Sequence, residues 1–191
     1  MLPKVSIVDV VSGRYMVWST DDELTKQLLR DGTHEPITSV VAKNIIESSE
    51  NKTILDIGAN IGSFTIPLAR NLGNKAHFYC FEVQKQVYLQ LCGNIFLNSL
   101  DNVSPYHAAI SNKDGNMLIP AVSDYSLCKN VGGYSIDEVA TSLEHRGDFN
   151  QELLTEKISV QSRKIDSLID LPPACLIKID VEGHELSLIH I

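Results

Sequence analysis

Three acids and two glycines stand where a small-molecule site could form. Asp56 follows the apolar pair Ile54-Leu55 and leads into Gly58, Asn60 and Gly62. Glu82 closes a second apolar run, twenty residues after Gly62, and Asp180 closes a third. Glycine has no Cβ, so it permits tight turns, positive φ and close approach of the backbone to a ligand. The first turn of a helix beginning after such a turn leaves N–H groups without partners. An acid about twenty residues beyond the glycines can accept hydrogen bonds from ribose hydroxyls. The pattern therefore describes a site for an adenosine-type nucleoside. The series Gly58, Asn60, Gly62 lacks the middle glycine of a dinucleotide fingerprint. Asp56 would also repel a pyrophosphate. An acid beside the glycine turn suits a cofactor carrying a cation, such as the ammonium and sulfonium of S-adenosylmethionine.

These residues need a scaffold that brings strand ends together. From Thr53 the chain alternates strand-like and helix-like segments: strand 53–57, helix 63–71, strand 76–82, helix 84–98, strand 103–109. That order predicts a parallel sheet with crossover helices on both faces. In such sheets ligands bind beyond the carboxyl ends of the strands, where all three acids fall. The run 174–179, apolar except for Lys178, ends at Asp180 and reads as a strand buried on both faces. Upstream, 5–11 and 14–19 read as a β-hairpin around Ser12-Gly13. Acids at 21–23 open a short helix. Ile37, Val40, Val41, Ile45 and Ile46 have amphipathic helical spacing. Short strands are expected at 117–119 and 158–162 and a helical turn at 165–169, with a long polar stretch, 122–149, read either as a lid or binding loop or as a disordered insertion.

The bulk properties narrow the class. The chain has 191 residues, enough for one domain with a core. Sixteen basic residues against twenty-four acidic ones give a net charge of -8, which argues against a nucleic-acid or anionic-membrane partner. Cys80, Cys92, Cys128 and Cys175 form no C-x-x-C pair and read as reduced thiols of a cytoplasmic protein. No apolar run nears the ~20 residues of a membrane helix. Met1-Leu2-Pro3-Lys4 begins no secretory signal, and no spacing demands a metal.

Leu55 to Thr65, Phe81-Glu82, Asn94, Asn98 and Asp101-Asn102-Val103 together resemble the FkbM family of methyltransferases. The string Ile177-Lys178-Ile179-Asp180-Val181-Glu182-Gly183-His184-Glu185 matches most strongly, and His34-Glu35-Pro36 resembles a Trp-Glu-Pro found upstream in the family. The resemblance implies a Rossmann-like α/β fold and S-adenosylmethionine-dependent methylation of a hydroxyl on a sugar, polyketide or other small molecule. It implies that Asp56, Gly58, Asn60 and Gly62 line the cofactor and that Glu82 holds the ribose. The segment from His107 through Ala109 to Ile110 would pass near the adenine, and Asp180 would face the methionyl part. An alcohol must lose a proton during transfer, which makes Asp180, His184 and Glu185 candidates for a general base. The expected organisation is an N-terminal hairpin and helix extension, 1–50, followed by a methyltransferase domain, 51–191, that lacks its C-terminal strands. Two other readings stand beside it: an NAD-type oxidoreductase, and a nucleoside-binding fragment without turnover.

Overall fold

The computed structural model describes residues 5–18, 23–121, 156–168 and 171–181. The expected loop 122–149 lies outside them. The hairpin forms as β1 (Val5–Val10) and β2 (Gly13–Trp18), antiparallel, with Val10 opposite Gly13. Two helices follow, α1 (Glu23–Asp31) and α2 (Pro36–Ser48). Proline suits the start of α2, because its missing N–H would have no helical partner there.

The expected alternation is realised as β3 (Thr53–Ile57), α3 (Thr65–Leu72), β4 (His77–Glu82), α4 (Lys85–Leu97) and β5 (Val103–His107). A last strand, β9 (Leu176–Ile179), joins them in one parallel sheet of order β5-β4-β3-β9. The chain steps outward from β3 to β5 and later returns to the opposite side of β3. The order therefore reverses at β3, and the carboxyl ends of β3 and β9 mark the switch point where such sheets bind ligands.

All five residues of β3 are buried, so the strand is covered on both faces. On one face Ile54, Phe78 and Cys80 pack with Ala69 and Leu72 of α3 and Leu91 and Ile95 of α4. On the other, Leu55, Ile57 and Phe81 pack with Ala108, Ile110, Ile165, Leu168 and Ile179. Helices were expected on both faces. Among the described residues this second face is covered by a second small sheet and its connections instead. That sheet has β6 (Ala109–Ile110), β7 (Gly115–Ala121) and β8 (Glu156–Arg163) in the order β6-β8-β7. The strand expected at 103–109 is divided: Ala108 lies between β5 and β6, and the chain changes sheets there.

Two burial patterns differ from expectation. Among the described residues β9 pairs only with β3, so Ile177 is 43% exposed rather than buried on both sides. On α2 only Ala42 and Ile46 are buried, while Ile37, Val40 and Val41 face outward, each more than half exposed. Periodicity located this helix, but the described core meets only a narrow stripe of it. Among the described residues no helix is long and apolar enough to cross a membrane.

Candidate functional site

The turn after β3 is built by neighbouring backbone as much as by its own sequence. The N–H groups of Gly58 and Ala59 both donate to the Phe81 carbonyl at the end of β4, at 2.9 and 3.0 Å. Gly58 has φ +78, and a Cβ there would overlap the carbonyl oxygen of Asp180 and lie 2.8 Å from its carbon. Glycine is therefore required at this position by the strand next door, before any ligand arrives. Asn60 has φ 51, the left-handed region that asparagine tolerates better than most residues. Its Oδ1 accepts from the Ile61 N–H at 2.8 Å. Gly62 has φ +89, and a Cβ would sit 2.9 Å from both Ile66 and Leu91, so its bareness lets α3 close on α4.

Glu82 grips this turn. Its Oε2 accepts from the Asn60 N–H at 2.9 Å and its Oε1 from the Gln84 N–H at 2.8 Å. The side chain is only 7% exposed. Burial raises its pKa, and the backbone N–H groups of Gln84, Asn60 and Val83 work against that rise. A carboxylate has about four lone-pair sites, so these two oxygens retain acceptor capacity for ligand hydroxyls.

The third acid is tied to the first by a lysine. Asp56 lies opposite Lys178 in the β3–β9 register and opposite Cys80 in the β3–β4 register. The Lys178 ammonium is 3.4 Å from Asp56 Oδ1 and 3.3 Å from Asp180 Oδ2, and it donates to the Gly58 carbonyl at 3.1 Å. Burial disfavours its charge, yet the two carboxylates outweigh burial and raise its pKa. Asp56 was expected to line the cofactor. Its carboxylate has no exposed surface and accepts from the Thr65 hydroxyl at 2.7 Å, on the face that α3 covers. Strand alternation puts it there, on the side shared by Ile54 and Cys80. Asp180 is the accessible member, with 57% of its side chain exposed. Lys178 carried no role in the sequence reading. Its one signal was a cation inside the apolar run of β9.

Ala109 is buried in β6, 4% exposed, just beyond the end of β5. His107 pairs in register with Glu82, lies 3.0 Å from the Val83 carbonyl through Nε2 and stacks on Tyr88 at 5.2 Å. The His34-Glu35-Pro36 segment reaches the glycine turn as well: His34 Nδ1 is 3.4 Å from the Ser63 hydroxyl. His184 and Glu185 lie outside the described residues. The structure thus brings Gly58, Asn60, Glu82, Lys178 and Asp180 to the carboxyl ends of β3, β4 and β9, and leaves Asp56 beneath them.

Comparison with known proteins shows the family. The family model described as "Methyltransferase FkbM domain" matches residues 56–190, most of the chain. The tRNA(Phe) (4-demethylwyosine(37)-C(7)) aminocarboxypropyltransferase of Methanocaldococcus jannaschii is 47% identical over 58 residues, 30% of this chain and 23% of that protein. The chain thus matches less than a quarter of that relative's length. Among solved structures, a SAM-dependent methyltransferase from Agrobacterium tumefaciens aligns at 12% identity and TM-score 0.42, covering 57% of this chain and 34% of that one. TYW2 from M. jannaschii in complex with AdoMet aligns at 19% identity and TM-score 0.37, covering 63% and 66%. The family match runs through the glycine turn, through Glu82 and through the strand bearing Lys178 and Asp180, and the chain belongs to the FkbM methyltransferase family, whose cofactor is S-adenosylmethionine.

Proposed function

We propose that this chain carries the cofactor site of an O-methyltransferase acting on a hydroxyl of a small molecule or glycan. The observation that carries the reading is the charge arrangement at the switch point. Lys178 is paired with the buried Asp56, and above that pair Glu82 and the exposed Asp180 make an acidic surrounding suited to a cationic nucleoside. A dinucleotide pyrophosphate would meet the same acids unfavourably.

S-adenosylmethionine supplies an electrophilic methyl group when bound. Glu82 would accept the ribose hydroxyls with the lone pairs that Asn60 and Gln84 leave open. The turn at Gly58, Asn60 and Gly62 would line the cofactor, and Ala109 would border the adenine. Asp56 would act through Lys178 rather than by contact. Asp180 would face the reacting end, orient the acceptor hydroxyl and, with His184 or Glu185, take its proton. Most of the rate would come from positioning, since methyl transfer needs no covalent help from the protein.

The net charge of -8 favours a small acceptor over a polyanion. The aminocarboxypropyltransferase relative acts on tRNA, so the acceptor panel should include one. The test is titration calorimetry with S-adenosylmethionine and with NAD, followed by labelled methyl transfer to hydroxylated sugars, polyketides and tRNA. Binding of S-adenosylmethionine with label on a small hydroxyl is expected. Binding of NAD alone would end the reading, and label on tRNA alone would replace its acceptor. Binding without transfer to any acceptor would leave a nucleoside-binding module.

A further inference from the structure

The hairpin is bound to α4 by a ladder of side-chain amides. Gln90 and Asn94 of α4 and Asn98 at its C-cap stand four residues apart along the helix. Asn98 accepts from the Arg14 N–H at 3.0 Å and donates to the Arg14 carbonyl at 2.7 Å. Asn94 accepts from the Met16 N–H at 2.5 Å, and Gln90 donates to the Met16 carbonyl at 2.6 Å. The spacing explains the match. Four helical residues rise about 6 Å, and two strand residues advance about 6.7 Å. The edge of β2 that is not paired with β1 thus finds its partners in a helix.

Asn94 does something the other two do not. Its Nδ2 donates to the Ile61 carbonyl at 2.9 Å, inside the glycine turn, and the residue has no exposed surface. The turn is therefore held at adjacent residues from two sides: Glu82 takes the Asn60 N–H, and Asn94 takes the Ile61 carbonyl. Around the same point Ile61 and Ile66 share a cluster with Tyr15 and Val17 of β2.

We propose that Asn94 is a positioning residue for the cofactor turn, and that through it the N-terminal hairpin is part of the cofactor-binding unit. This rests on the proposed function above, because it assumes that the turn receives S-adenosylmethionine. Asn98 provides an internal control, since it bonds the hairpin without touching the turn.

The experiment compares Asn94→Leu with Asn98→Leu in the full chain by thermal melting and by S-adenosylmethionine titration. Both should lower the melting temperature. Only Asn94→Leu should weaken cofactor binding, by about tenfold or more, with Asn98→Leu within twofold of wild type. In Asn94→Asp the oxygen replacing Nδ2 repels the Ile61 carbonyl when ionised and donates to it when protonated. Its cofactor affinity, relative to wild type, should therefore recover as pH falls. Equal affinity losses in Asn94→Leu and Asn98→Leu, or an Asn94→Asp affinity that keeps a constant ratio to wild type with pH, would overturn the proposal. If wild type itself binds no S-adenosylmethionine, the function reading fails first. Should Asn94→Leu not fold, the Asn94→Asp pH series decides.

Discussion

Replacing Lys178 with Met tests whether the lysine holds the carboxyl ends of β3 and β9 together. Met fills similar volume and removes only the charge and its donors. At 3.4 Å and an effective dielectric of about 20, a single pair attracts by about 5 kcal/mol before desolvation is subtracted. Because Asp56 has no exposed surface, its carboxylate would be left buried and uncompensated. Removing one partner of such a pair costs about 3–5 kcal/mol, a large part of a domain's total stability. The assay is urea unfolding of wild type, Lys178→Met, Asp56→Asn and the double variant. The double variant should recover at least about 2 kcal/mol of the summed single losses, because removing both charges leaves neither orphaned. The pH dependence supplies a second signature. The folded-state pKa of Lys178 is raised above its ordinary 10.5. Its contribution is therefore fully present below that value and is lost as pH rises through the folded value. The stability gap between wild type and Lys178→Met should stay constant near neutrality and narrow above pH 10.5. A loss below about 1 kcal/mol in Lys178→Met, or purely additive single losses, would refute the reasoning.

Gly58→Ala should destabilise by more than about 2 kcal/mol, because it combines an unfavourable positive φ with overlap against the backbone of Asp180. Gly62→Ala should cost less by chemical denaturation, since the obstructing atoms there are the ends of the Ile66 and Leu91 side chains; equal costs would count against this account. Glu82→Gln presents an NH2 group to one of two N–H donors, Asn60 or Gln84, and should weaken S-adenosylmethionine binding about tenfold or more by calorimetry. Unchanged affinity would remove Glu82 from the site.

Much of the frame was legible because it is written in local patterns. Alternation and glycine breaks located β3, α3, β4 and α4 to within about two residues, the usual uncertainty of helix and strand ends. The hairpin turn and α2 were legible for the same reason. The long-range partners were not. Nothing in residues 103–110 announces that the chain leaves one sheet for another at Ala108, since both halves are strand-like. Nor does the alternation of β3 say which face will be sealed, so the burial of the Asp56 carboxylate against Thr65 and Lys178 was not legible.

The sequence by itself determined that an acid, two glycines and a second acid meet at a strand-to-helix turn, because residue type and spacing set which backbone conformations are cheap. It also determined the family, through strings long enough to be specific. Only the tertiary structure decided what each group does there. Gly58 is bare because the β9 backbone passes beside it, Lys178 joins two carboxylates 124 residues apart, and Asn94 links the hairpin to the turn. Such roles depend on contacts between distant segments, and pairing across a sheet leaves little mark on either segment alone.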